Sequence, residues 1–213
     1  GMENSLYAER LDFDTGAFSA DANRNNAFDY SEQVHAAYAL LAGSALGLDV
    51  QAGLRVEQAI TSFDLNTTGE TFENDYRSLF PSAVVAWKPS PTQQVKLSYS
   101  KRVNRPGTRM LNPFTTYTDP LNLFVGNPFL LPEYTHALEL GLQRFSRSGS
   151  VSITPYFRRT VNEMERFKTV NPDGTSTLTF RNFDRSDSYG AEVVGSLRFG
   201  RSFSGFASFN AFR

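Results

Sequence analysis

"LGLDVQAGLRVEQAI", Leu46 to Ile60, alternates between apolar and polar residues. The even positions Leu48, Val50, Ala52, Leu54, Val56 and Ile60 are apolar, while the odd positions include Asp49, Gln51, Arg55 and Glu57. Successive side chains of a strand point to opposite faces, so a period of two gives one apolar face and one polar face. A helix over the same residues would carry charge on every side. Gln58 is the one polar residue on the apolar side.

The same alternation recurs along the chain. Val95, Leu97, Tyr99 and Val103 stand opposite Lys96, Ser98, Ser100 and Arg102, with Lys101 the exception. Leu138, Leu140 and Leu142 oppose Glu139, Gly141 and Gln143, and Val151, Ile153, Pro155 and Phe157 oppose Ser152, Thr154 and Tyr156. Tyr189, Ala191, Val193, Gly195, Leu197 and Phe199 oppose Gly190, Glu192, Ser196 and Arg198. The pattern predicts about nine strands, near residues 4–13, 29–42, 46–64, 77–88, 93–104, 134–146, 150–166, 186–199 and 202–212. Tight turns ("AGSAL", "KPSPTQ", "SRSGS", "FGRS") alternate with long polar connections near 14–28, 65–76, 105–133 and 167–185. The fold class expected is all-β: an antiparallel up-and-down meander of long strands. Strict alternation of short and long connections suits a transmembrane β-barrel, and a strand of ~9–11 residues crosses a bilayer. Trp87 and Tyr99 lie near strand ends, as an interfacial aromatic girdle requires.

Composition narrows the function. The 213 residues carry 21 basic and 22 acidic side chains, so no charge excess points to nucleic acid. Cysteine is absent, which removes thiol catalysis, disulfides and thiolate metal sites. The two histidines, His35 and His136, are far apart and have no ligand-spaced partner. No serine has a visible triad, no glycine-rich phosphate loop is present, and "NPDGTS" (Asn171–Ser176) reads as a hairpin turn, not a calcium loop. The expectation is therefore no enzyme, no cofactor and no metal. Gly1-Met2 reads as an expression scar and no signal peptide follows it, leaving residues 3–213 as a single unit. Two alternatives remain open on these grounds. One is a soluble β-sandwich binding carbohydrate or protein at a cell surface. The other is a small independent barrel serving as an adhesin or anchor.

"SYSKRVNRPGTRMLNPFTTYTDPLNLFVGNPFLLPEYTHALELG", Ser98 to Gly141, resembles a signature stretch of TonB-dependent outer-membrane receptors of the outer-membrane β-barrel protein family. The matching residues are Tyr99, Arg102, Arg105-Pro106, Leu111–Phe114, Tyr117, Asp119-Pro120, Gly126–Pro128, Leu130, Pro132-Glu133 and Glu139–Gly141. The resemblance implies part of a barrel of about 22 strands in the bacterial outer membrane, with a plug domain in its lumen. It also implies the TonB system as a partner and a small imported ligand such as a siderophore, oligosaccharide or peptide. No plug is recognisable here, so the chain reads as a barrel fragment that does not transport alone. Its free edges invite pairing with another copy or a strongly curved open sheet.

The candidate ligand-binding loop residues are Arg102, Arg105, Tyr117, Asp119, Asn122 and Asn127. Pro106, Asn112, Pro113, Phe114, Gly126, Pro128, Pro132 and Glu133 are the structural part of the motif. Asn-Pro-Phe occurs twice, at Asn112–Phe114 and Asn127–Phe129, and each triplet is expected to fix an extended turn. The tips near Thr67–Glu70 and Pro172–Ser176 are the other places expected to set specificity.

Overall fold

The computed structural model describes residues 2–6, 9–20, 25–200 and 202–213. Its strands are β1 (Met2–Leu6), β2 (Glu9–Leu11), β3 (Phe18–Ala20), β4 (Asn26–Ala45), β5 (Leu48–Leu65), β6 (Glu70–Ser90) and β7 (Gln93–Asn104). A one-turn helix α1 (Thr108–Leu111) follows, then β8 (Thr116–Asp119), β9 (Asn122–Phe124), β10 (Glu133–Ser146), β11 (Gly149–Val170), β12 (Ser176–Phe199) and β13 (Phe203–Phe212). From β4 to β7 and from β10 to β13, chain neighbours pair antiparallel, and β7 pairs β10 across the long connection, giving one curled sheet. β1 extends this sheet beside the start of β4.

The tight turns all fall at one end of the meander and the longer connections at the other. Two connections differ from expectation. Residues 65–76 and 167–185 are mostly strand, because β5–β6 and β11–β12 stay paired up to Leu65↔Glu70 and Val170↔Ser176. Gly69, at φ +74°, turns the first hairpin. In the second, Gly174 has φ +85°, and Asp173 accepts hydrogen bonds from the Thr175 amide (2.9 Å) and hydroxyl (2.7 Å). The expected strand 4–13 is two short strands in different sheets, and its positions 7–8 lie outside the described residues. The connection near 14–28 contains β3 and the start of β4, with 21–24 also outside them.

Cross-strand pairing converts the alternation into two continuous faces. Directly opposed residues share a face. One row runs Leu41, Ala52, Ala83, Tyr99, Leu138, Phe157, Tyr189 from β4 to β12. A second runs Leu48, Trp87, Val95, Leu142, Ile153, Val193, Phe209. Among the described residues nothing covers this face: Leu54 is 46% exposed, Leu97 47% and Trp87 50%. The opposite face carries rows such as Gln51, Val84, Ser98, Glu139, Tyr156. An apolar surface of this extent exceeds what a soluble monomer leaves bare. The even-numbered residues of β5 thus do not pack into a closed interior, as a sandwich demands.

Aromatic rings border the apolar band. Tyr99, Phe157 and Tyr189 stand towards the long-connection end, and Trp87, Phe199 and Phe203 towards the tight turns. Tyr189 and Phe199 lie ten residues apart on β12. At ~3.3 Å per residue and a tilt of ~45°, that is ~23 Å of height, close to an outer-membrane barrel's apolar band of ~25 Å. The 24 residues of β12 reach well beyond it.

Above the band the faces exchange character. On β5 the apolar residues move from even to odd numbers: Ala59, Phe63 and Leu65 are buried, while Gln58, Ser62 and Asp64 occupy the other side. Here the outer side meets water and the inner side packs against protein. Phe28, Phe63, Leu65, Leu111 and Leu130 form the buried cluster, flanked by Tyr30, Phe72, Met110, Phe114, Met164 and Phe180. Leu111 and Leu130 come from the connection between β7 and β10, so that connection folds inward over the inner face of β4–β6.

The β4–β5 turn is a two-residue loop, Leu46-Gly47, with both residues at positive φ (55° and 77°). This is the primed turn that matches strand twist, and leucine is a poor residue for it. Leu46 is fully exposed and makes no compensating contact. Leu46→Asn is expected to stabilise the protein by ~0.5–1 kcal/mol, read as a higher denaturant midpoint. An unchanged or lower midpoint contradicts this.

Candidate functional site

The connection from Arg105 to Pro132 is the largest structure at the long-connection end, and its path follows from its motif residues. Each Asn-Pro-Phe triplet makes the same turn. Asn112 Oδ1 accepts the Phe114 amide at 2.9 Å, and Asn127 Oδ1 accepts the Phe129 amide at 3.0 Å. Proline keeps the preceding asparagine extended, which places its side chain to receive that amide. The triplets are also tied together, because Gly126 donates to the Asn112 carbonyl (2.9 Å) and Asn127 to the Met110 carbonyl (2.7 Å). A Cβ on Gly126 would sit 2.4 Å from the Asn112 oxygen and 2.7 Å from the Met110 oxygen. Gly126→Ala is therefore expected to cost ~1–3 kcal/mol and to expose residues 105–132 to limited proteolysis. Wild-type protection in that variant would show that the close approach is dispensable.

Arg105 is the electrostatic anchor. Its guanidinium, 23% exposed, bonds Glu57 (8% exposed), donates to the Tyr76 hydroxyl at 3.0 Å and lies 3.5 Å from Glu32. Arg55 approaches the other Glu57 oxygen at 2.5 Å. The void between these groups and Pro106, Leu111, Leu130 and Pro132 is about 20 Å³, room for about one water and no ligand. Arg105 thus pins the connection to the wall, and Pro106 and Pro132 close the seam. Asn74 donates to the Pro128 carbonyl at 3.2 Å. Glu133 accepts from Asn104 (2.6 Å) and from the Met164 amide (3.0 Å), fixing the start of β10. Pro113 is half-buried within the first Asn-Pro-Phe turn, beside Phe114.

The remaining candidates divide. Asp119 accepts the Leu121 amide (2.8 Å), the Asn122 amide (2.9 Å) and the Asn122 side chain (2.8 Å), so it shapes the β8–β9 turn. The Asn122 side chain and then the Leu121 amide hold its carboxyl below the usual carboxylate range. A depressed folded-state value means this support is full above the ordinary carboxylate range and is lost as pH falls through the folded value. Asn122 Oδ1 accepts from Ser176 (2.6 Å) and Lys168 (3.3 Å), where β9 pairs parallel with the start of β12. Asn127 also donates to the Phe180 carbonyl at 3.2 Å. Tyr117 is 46% exposed on β8. Arg102 is exposed on β7, opposite Thr135 on the polar-face register, outside the Arg105 network.

Asn182 went unmarked in the sequence. It accepts the Leu131 amide (2.9 Å) and donates to the Leu131 carbonyl (2.9 Å) and to the Asn162 carbonyl (2.8 Å). It thus substitutes for a strand backbone at the end of the connection. Its linear surroundings carry no turn motif. Glu57 was visible only as one polar residue among several on its face.

A curled antiparallel sheet with a bare apolar band, aromatic borders, a polar inner face and an inward-folded connection is part of the wall of a membrane-spanning β-barrel. The chain belongs to the outer membrane protein beta-barrel family, whose model matches residues 2–213, and its place is the bacterial outer membrane. Solved receptor barrels share the fold. The Serratia marcescens hemophore receptor HasR superposes with a TM-score of 0.69 at 16% identity, over 92% of this chain and 37% of that one. The copper transporter OprC gives 0.66 at 14%, over 99% and 34%. The Pseudomonas aeruginosa siderophore receptor PirA gives 0.64 at 14%, over 88% and 43%. The chain spans less than half the length of each of these solved proteins. No curated protein matches the sequence significantly.

Proposed function

We propose that the chain is a wall segment of a TonB-dependent receptor that imports a small ligand across the outer membrane. The observation that carries this is the exchange of faces along β5. Below Gln58 the outer side is apolar and the inner side polar. Above it the inner side holds a folded connection at the mouth. A simple anchor or adhesin has no need of an inner padding built from twenty-eight residues of its own connection, Arg105 to Pro132. The siderophore, copper and hemophore proteins that share the fold support import as the task.

On this reading the wall lines the route, a plug domain occupies the lumen, and TonB supplies the energy. Residues 3–213 act as one unit of the wall and do not transport alone. The ligand is a siderophore, an oligosaccharide or a peptide. No catalytic step and no bound cofactor belong to the proposal. Arg105, Asn122 and Asn127 act as architecture, and contact with the ligand falls to the exposed mouth residues.

The test is uptake. Cells producing the full receptor are given labelled siderophore, oligosaccharide and peptide pools, with and without a protonophore. Accumulation of one class that stops with the protonophore supports energised import. Accumulation indifferent to the protonophore, or none from any pool, contradicts it.

A further inference from the structure

Beside the Arg105 seam the connection leaves a second, far larger opening. A cleft of about 500 Å³ lies between α1, the Asn112–Phe114 turn, the β8–β9 hairpin and the start of β4. Its walls include Phe28, Phe114, Tyr117 and Phe124, with Thr116 at the side and Arg109 at the rim. Phe28 and Phe124 are each 6% exposed, so both rings are fixed. Phe28 stacks on Phe63 at 4.7 Å, and Phe124 meets Phe180 edge to face at 6.0 Å.

Arg109 is the distinctive group. Its guanidinium lies 5.0 Å from the Phe124 ring centroid, and among the described residues it has no carboxylate partner. Arg105, which lines the smaller void of this connection, is by contrast neutralised by Glu57 and Glu32. A guanidinium is planar, permanently charged and able to hold a carboxylate through two parallel N–H groups. Stacked on a phenyl ring it keeps its outward edge free, and the adjoining aromatic walls take a flat ring. Among the described residues the wall offers it no carboxylate.

We propose that this cleft is a binding subsite for a planar aromatic group bearing a carboxylate, with Arg109 taking the anion and Phe114 and Tyr117 the ring. This rests on the reading of the connection as part of a ligand vestibule. It adds a chemical class and a residue that the loop candidates did not include.

The probe is 2-naphthoate, titrated by fluorescence against the receptor in detergent. The controls are 2-naphthamide, which has the ring without the charge, and cyclohexanecarboxylate, which has the charge without the aromatic ring. Saturable naphthoate binding is expected, with both controls weaker by tenfold or more. Arg109→Gln is expected to lower naphthoate affinity by at least tenfold, and Arg109→Lys by less. Arg147→Gln, in the tight turn between β10 and β11 at the opposite end of the sheet, is expected to change nothing. The folded state of each variant is checked by the heat-sensitive gel shift of an intact barrel. No saturable binding, equal binding of the three probes, or a folded Arg109→Gln with wild-type affinity overturns the proposal. Naphthoate binding that depends on Arg109 in a protein without energised uptake would sink the import reading and leave this subsite standing.

Discussion

Leu140→Arg is expected to destabilise the membrane-inserted protein by ~2–4 kcal/mol. Leu140 pairs with Leu97 in the apolar band, between the aromatic borders, and both side chains are exposed within the chain (36% and 47%). In a soluble protein an arginine at so exposed a site would be nearly neutral. In a bilayer it faces hydrocarbon near the midplane. Ser98→Arg is the matched control. Ser98 is one residue from Leu97 on β7 and faces the polar side opposite Glu139. Its expected effect is below ~0.5 kcal/mol, the usual range for a surface change. Urea unfolding from lipid vesicles measures both. Equal effects of the two substitutions would remove the basis for assigning the faces.

Arg105→Met is expected to cost ~2–3 kcal/mol and to release the connection from the wall. The substitution leaves Glu57 nearly buried, with Arg55 as its one remaining ion-pair partner among the described residues. Breaking a fully buried pair typically costs ~3–5 kcal/mol, and the residual Arg55 contact and the part-exposed guanidinium reduce that figure here. Adding Glu57→Gln should recover part of the loss, because the stranded charge is gone. The readouts are the unfolding midpoint and protease cleavage within residues 105–132. If the double variant is as unstable as the sum of the two single ones, the pair is not coupled and Arg105 is no latch.

The lower halves of the strands were legible in the sequence. Alternation from Leu48 to Val56, from Val95 to Tyr99 and from Tyr189 to Phe199 marked faces that the pairing registers reproduce. The upper halves were harder. Gln58 looked like a single exception, yet it begins an inversion in which Ala59, Phe63 and Leu65 become the buried set. Residues 65–76 and 167–185 were expected to be connections because they are rich in Asn, Asp, Thr and Gly, although these polar residues face water on tall paired hairpins. The Asn-Pro-Phe turns were readable because a proline and an asparagine act locally. The partners Glu57, Tyr76 and Asn182 were not, since each meets the connection across 29 to 51 residues of chain. Of the loop candidates, Arg105, Asp119, Asn122 and Asn127 have structural bonds, whereas Arg109, half a turn from Leu111 in α1, carries no motif signal.

Below Gln58 the even-numbered face of β5 meets lipid and the odd-numbered face meets water. These 213 residues hold no cysteine, so single cysteines introduced into β5 test this directly. Single substitutions such as Val50→Cys, Gln51→Cys, Ala52→Cys, Leu54→Cys and Arg55→Cys are spin-labelled in the protein reconstituted into vesicles. Collision rates with oxygen and with a water-soluble nickel complex are then compared. The predicted result is a period of two: oxygen favoured at residues 50, 52 and 54, nickel at 51 and 55. Even positions shielded from both reagents, or no alternation along β5, would contradict a membrane-spanning wall.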